Sequence, residues 1–227
     1  MTTLPLIPGD RAVVIHAGAA RLPGTLAWPA HPSGVVLFAH GSGSSRMSPR
    51  NLLVAQRLRD AGLATLLFDL LTPEEAGDRT NVFDIELLAD RLAAAGSWVV
   101  EQPETAGLPV GYFGASTGAA AALRAEVVSA TPIGAVVSRG GRPDLAGDAL
   151  PRVRAPTLLI VGGLDTTVIA LNQSAQARLT CPNRLVIVPG ATHLFEEPGT
   201  LEQAASRAAE WFVHYLATSR TWQGAHQ

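Results

Sequence analysis

Six strand-length runs recur along the chain, at 34–39, 63–68, 110–113, 133–137, 157–161 and 184–188, and stretches with helical spacing separate them. The runs are largely apolar and do not alternate with polar residues, the pattern of strands buried on both faces. Strands that alternate with helices in this way build a mostly parallel sheet covered on both sides. Helical spacing is clear after Pro49, where Gly62 marks the stop, from Val82 to about Val100, after Ser116, and over 167–179. It recurs at 201–216, where Leu201, Ala204, Ala208, Trp211, Phe212 and Tyr215 share a face. Two shorter strands, 11–15 and 25–28, form a hairpin-like start. The pattern predicts one three-layer α/β domain spanning residues 1–227, with no cap domain and a frayed tail at 218–227. Only residues 138–156 lie between the fourth and fifth runs. With Gly140, Gly141, Pro143 and Pro151 among them, they leave no room for a helical lid. A site above the sheet is therefore open, or roofed by short loops such as 69–81.

Composition narrows the function. Hydrophobic residues make up 47% of the 227 and charged residues 16%, which suits a buried parallel sheet in a single large core. A formal net charge of -2 offers nothing that recruits nucleic acid or an anionic membrane. The longest apolar runs are strand-sized, and residues 1–8 lack a basic segment followed by an apolar one. Neither a membrane span nor a signal peptide is expected, and the cytoplasm is the expected location. The single cysteine, Cys181, cannot form an internal disulfide and lacks metal-ligand spacing. It reads as a structural or incidental thiol, and neither a metal nor a cofactor is expected.

The chemistry is carried by three strand endings. Gly114-Ala115-Ser116-Thr117-Gly118 is a G-x-S-x-G between an apolar run and a helical stretch, the setting of an exposed nucleophilic serine on a tight turn. A serine hydroxyl needs a base, itself oriented by a carboxylate. Asp165 follows the strand ending in Gly162-Gly163, and His193 follows the one ending near Val188. The order Ser116, Asp165, His193 is that of nucleophile, acid and base in α/β-hydrolase arrangements. Asp165 also reads as a helix cap, His193 as a loop histidine bonded to a carbonyl, and Asp69 and Asp84 are competing acids. For an oxyanion hole the backbone N–H of Thr117 is one donor and Ser42 the other, with Gly43 as an alternative register. His40 reads as a brace for that loop. Arg46, Arg50, Arg139 and Arg142 lie near the carboxyl ends of strands, where each either meets a substrate carboxylate or phosphate or is solvated and paired with neighbours such as Asp144.

These motifs, His40-Gly41-Ser42-Gly43-Ser44, Gly111 to Gly118, Gly162-Gly163-Leu164-Asp165 and Gly190 to Phe195, resemble the α/β-hydrolase superfamily. Within it the chain resembles the small, lidless dienelactone-hydrolase-like group over roughly residues 34–216. The resemblance implies Ser116 as nucleophile, Asp165 as acid, His193 as base, and Ser42 and Thr117 at the oxyanion hole. It also implies a departure, because dienelactone hydrolases proper use a cysteine where Ser116 stands. The expected activity is a carboxylesterase-like serine hydrolase of small esters acting through an acyl-enzyme. Thioesterase, lactonase or acyltransferase chemistry with the same triad, and a non-catalytic binding protein, are the alternatives. The expected partner is a small-molecule ester, with no nucleic acid or membrane, and a homodimer is compatible with the sequence.

Overall fold

The computed structural model describes residues 6–223. Eight strands form one sheet in the order β1-β2-β4-β3-β5-β6-β7-β8. The first two, β1 (Gly9–Ala17) and β2 (Ala20–Trp28), make an antiparallel hairpin longer than expected, turning at Gly18 with φ +62°. The edge hairpin joins the sheet where β2 runs antiparallel to β4 (Ala64–Phe68). From there β3 (Val35–Ala39), β5 (Val110–Ala115), β6 (Ile133–Arg139), β7 (Thr157–Gly162) and β8 (Asn183–Val188) are parallel. Every residue of β3, β4, β5 and β7 is buried, which is why those segments read as unbroken apolar runs.

Two apolar layers cover the sheet. On one face α1 (Pro49–Asp60) and α7 (Thr200–Gln223) pack Val54, Leu58, Ala204, Ala208 and Phe212 against Phe38, Phe113 and Ile160. On the other, α4 (Ile85–Val99) and α5 (Thr117–Val128) place Leu88, Leu92, Ala120 and Leu123 on Leu37, Leu66 and Tyr112. Each fully buried Leu or Phe here contributes about 1.5–3 kcal/mol. Five of the eight buried residues of α5 are alanine, so it lies close to the sheet. A fifth full-length helix, α6 (Thr166–Gln176), follows β7.

The segment after β4 is less open than its sequence suggests. It folds into two single-turn helices, α2 (Pro73–Ala76) and α3 (Arg79–Val82), the first fixed by a reciprocal cap between Thr72 and Glu75. Residues 143–152 form a kinked 3-10 segment, with no helical lid in that stretch. The architecture is a single-domain three-layer α/β fold with no separate cap domain. Residues 218–223, expected to fray, continue α7, and residues 224–227 lie outside the described residues. Among the described residues no helix is long and apolar enough to cross a membrane.

Chain direction positions the site. After β3 the chain crosses to β4 on one side and then to β5 on the other, so the carboxyl ends of β3 and β5 flank a topological switch point. Open α/β sheets bind ligands in the crevice at such a point.

Candidate active site

At the end of β5 the backbone turns so sharply that Ser116 takes φ 51° and ψ -122°. A non-glycine residue held there costs on the order of 1–3 kcal/mol and persists only when its surroundings impose it. They do: the Ser116 N–H donates to the carbonyl of Arg139 (3.3 Å), and the Ser116 carbonyl accepts from the N–H groups of Arg142 (3.0 Å) and Ala119 (3.1 Å). The flanking glycines are steric requirements. A Cβ on Gly118 would lie 2.1 Å from the carbonyl oxygen of Ala39, and one on Gly114 would lie 2.5 Å from Cα of Ala119. Both let α5 start directly against the sheet.

The acid and base meet above the ends of β7 and β8. Asp165 occupies the N-cap position of α6, yet its side chain caps nothing. Its Oδ2 instead lies 2.6 Å from Nδ1 of His193. The neutral tautomer that donates Nδ1–H to this carboxylate leaves Nε2 as the basic nitrogen. Backbone bonds knit the two loops together: Leu164 N–H to Ala191 carbonyl at 2.9 Å, and Gly163 N–H to Val188 carbonyl at 2.8 Å. Glu197, which sequence reasoning missed, steadies the histidine loop by accepting from the N–H (3.0 Å) and hydroxyl (2.6 Å) of Thr192. These bonds hold the Glu197 carboxyl below its ordinary pKa. Ser116 and His193 line one cavity of about 220 Å³ with Ser42, Ser48, Arg50, Arg139 and Leu194.

The oxyanion elements come together in an unexpected way. Gly41 lies so close to the elbow that a Cβ there would sit 2.9 Å from Cβ of Ser116. The Ser42 N–H, however, already donates to Oγ1 of Thr117 at 3.0 Å. The Ser42 amide is thus occupied by the Thr117 hydroxyl. His40 bonds on both ring nitrogens, with Nε2 accepting from Leu70 N–H (3.1 Å) and Nδ1 lying 3.0 Å from the Gly41 carbonyl. Burial lowers its pKa, so the neutral ring ties the oxyanion loop to the segment after β4.

The competing candidates are used elsewhere. Asp69 pairs with Arg46, and Asp84 caps α4 through Leu87 N–H at 3.0 Å. Arg142 forms a two-pronged pair with Asp144 at 2.9 and 2.8 Å. A second cavity of about 480 Å³ opens on the other side of the oxyanion loop, lined by Pro23, His40, Ser42, Leu71, Val82 and Leu88. No cluster of three or more His, Cys, Asp or Glu arranged to hold a metal occurs among the described residues.

Elbow, acid–base pair and doubly wound sheet together define an α/β-hydrolase site. A model of the dienelactone hydrolase family matches residues 22–219, and the chain belongs to that family. A crystal structure of a dienelactone hydrolase from Anabaena variabilis is 57% identical, covers 92% of this chain and 99% of its own, and superposes with a TM-score of 0.88. Est1E from Butyrivibrio proteoclasticus, 15% identical over 91% of this chain and 99% of its own with a TM-score of 0.76, shares the fold. Among curated sequences, a putative phosphoribosyl transferase of Mycobacterium tuberculosis is 61% identical over 207 residues, 91% of this chain and 47% of that protein. The chain thus spans about half the length of these curated relatives.

These matches correct the class expected from sequence. A carboxylesterase-like serine hydrolase of simple esters, set apart as a serine branch, gives way to the dienelactone hydrolase family itself. The motifs' resemblance ties that family to a cysteine nucleophile, so "serine esterase" does not describe the class. The motif misled because G-x-S-x-G reports a turn geometry and not the substrate class it serves. Cys181, the chain's one thiol, stands apart from the acid–base pair. It is buried, its sulfur lies 3.8 Å from Oγ1 of Thr157 where β7 starts, and burial raises its pKa. His193 follows the far end of β8, whose six residues span about 16 Å.

Proposed function

We propose that this chain hydrolyses a small lactone, or a comparably activated acyl compound, through a covalent acyl-enzyme formed at the elbow. The observation that carries the reading is the 2.6 Å contact between Asp165 and Nδ1 of His193, in a site whose cavity wall also holds the strained residue 116. In this reading Ser116 Oγ attacks the carbonyl as Nε2 of His193 removes its proton. The ring C–O bond then breaks, and His193 returns the proton to the leaving oxygen. Water, deprotonated by the same nitrogen, releases the acid and restores the serine. The Thr117 N–H, and the Ser42 N–H once freed, stabilise the tetrahedral oxyanion.

The site chemistry is acyl transfer to water. The phosphoribosyl transferase name belongs to relatives of which this chain matches about half, and it supports no separate reading here. A small-molecule substrate and a cytoplasmic site of action, without nucleic acid or membrane, go with the same proposal.

Comparison of a lactone, a p-nitrophenyl ester and a thioester across four proteins tests it. Ser116→Ala should lose at least about 10³ in kcat on all three substrates. Cys181→Ala should stay within twofold of wild type. Ser116→Cys should keep covalent turnover, since it restores the family's thiol at the elbow. Activity lost in Cys181→Ala and kept in Ser116→Ala would refute the assignment.

A further inference from the structure

The backbone at the end of β6, residues 139–142, runs between the elbow and the histidine. The Arg139 carbonyl accepts from the Ser116 N–H at 3.3 Å, and the Arg142 N–H donates to the Ser116 carbonyl at 3.0 Å. Between them Gly140, at φ +52°, passes so close to His193 that a Cβ there would lie 3.0 Å from its carbonyl oxygen and 3.7 Å from Nδ1. Gly141 is pressed against Ser138 and Ala119, where a Cβ would lie 1.9 Å from Oγ and 2.5 Å from Cβ respectively. The spacing between residue 116 and the imidazole is therefore set by where residues 139–142 lie.

A side chain from α6 holds that segment. Asn172 is fully buried, and its Nδ2 donates to the Gly141 carbonyl at 2.9 Å and to the Val168 carbonyl at 2.8 Å. The bond to Val168 is local, one helical turn back, whereas the bond to Gly141 spans 31 positions of sequence. The carboxamide Oδ1 is buried and has no hydrogen-bond partner among the described residues. Burying a polar atom in this way is unfavourable. The other buried residues of α6, Val168 and Ala175, carry no such atom. What the carboxamide adds is the donor to Gly141. The same helix starts at Asp165, whose carbonyl accepts from the Ile169 N–H at 2.9 Å. One rigid element thus carries the acid at its start and, about two turns on, the brace of the elbow.

We propose that Asn172 is a positioning residue: by fixing the Gly141 carbonyl it ties the helix of Asp165 to the turn of Ser116, and so sets the reach of His193 to the nucleophile. The inference rests on the hydrolase reading for its kinetic readout, and amide exchange tests the coupling without it. A misplacement of about 1 Å costs roughly 10²-fold in rate, so loss of the tie reads out in kcat. Asn172 is no part of the cavity wall, so KM should change little.

The experiment measures p-nitrophenyl butyrate hydrolysis, fluorophosphonate labelling and amide exchange in wild type, Asn172→Leu, Asn172→Ser and Ala175→Gly. Leucine fills the same space without a donor, and serine is too short to reach Gly141. Ala175→Gly loosens the same helix, since glycine is a weaker helix former, and removes no side-chain hydrogen bond. Both Asn172 variants should lose at least tenfold in kcat and in labelling rate, with KM within twofold. Ala175→Gly should stay within twofold in all three, whatever its fall in melting temperature. The Arg142 amide, bonded to the Ser116 carbonyl, should exchange at least tenfold faster in the Asn172 variants, with the amides of β1 and β2 unchanged. Should Asn172→Leu fail to fold, Asn172→Ser supplies the same readings. If wild type cleaves no activated ester, the hydrolase reading fails, and Arg142 exchange still decides the coupling. A kcat kept within twofold in Asn172→Ser, an equal loss in Ala175→Gly, or unchanged Arg142 exchange overturns the proposal.

Discussion

The junction between β7 and the histidine loop has little tolerance, and Gly162→Ala measures it. A Cβ on Gly162 would stand 2.4 Å from the carbonyl oxygen of Ala191 and 2.6 Å from that of Thr192. Ordinary contact begins near 3.4 Å, so the loop must retreat by about 1 Å, the difference between 3.4 and 2.4. Both obstacles are backbone, so no side chain can swing aside to relieve the clash. The retreat strains the Leu164-to-Ala191 hydrogen bond and carries His193 away from Asp165. A misplacement of about 1 Å costs roughly 10²-fold in rate, or about 2.7 kcal/mol of transition-state stabilisation. The neighbouring Gly163→Ala is the control, because its Cβ meets nothing nearer than the Val188 carbonyl at 3.2 Å. Steady-state kinetics and thermal melts of both variants decide the matter. The reasoning expects kcat/KM down about 100-fold in Gly162→Ala and within about threefold of wild type in Gly163→Ala. Equal losses in the two, or full activity in Gly162→Ala, would refute it.

Two further perturbations probe the same framework. Asp165→Asn keeps the side chain's shape but favours the wrong imidazole tautomer, so kcat should fall by on the order of 10³–10⁴ with an unchanged circular dichroism spectrum; a loss below tenfold would remove Asp165 from the site. His40 is held neutral, with its folded pKa below the ordinary 6.5, so the unfolded chain binds the proton first. Its contribution to stability is therefore present above about pH 6.5 and lost as pH falls through the lower folded value. Melting temperatures of wild type and His40→Gln, followed from pH 7.5 to 5.5, should diverge least at the acid end, and parallel curves would contradict the assignment.

The sheet was legible because its central strands are buried on both faces, which leaves unbroken apolar runs in the sequence. The turn at Ser116 and the loop positions of Asp165 and His193 were legible for a related reason: each follows such a run, and glycines mark the turns. Asp165 shows the limit of that logic. Its N-cap position is as visible in sequence as its place after a strand, and only the tertiary fold sets its carboxylate 2.6 Å from His193 and leaves it without a capping bond. The folding of residues 69–82 into two short helices had a local signal, Thr72-Pro73-Glu74-Glu75, a capping box with proline at the first helical position. Among Arg46, Arg50, Arg139 and Arg142, only Arg142 had a local signal, Asp144 two residues away. Arg50 reaches Glu196 across 146 positions, and among the described residues no ion pair includes Arg139. Such pairings arise from tertiary packing. Substrate class was illegible for a similar reason, since the same turn serves esters, lactones and thioesters.

The central claim is that chemistry passes through a covalent intermediate on the elbow residue. Peptide mapping after a fluorophosphonate probe, or after acid quench of turnover with an activated ester, tests it most directly. Trypsin separates the two candidate nucleophiles cleanly, because residues 92–124 contain Ser116 and residues 179–184 contain Cys181. The account predicts one adduct, on the 92–124 peptide, absent from Ser116→Ala and undiminished in Cys181→Ala. An adduct on the 179–184 peptide, or none in an active enzyme, would contradict it.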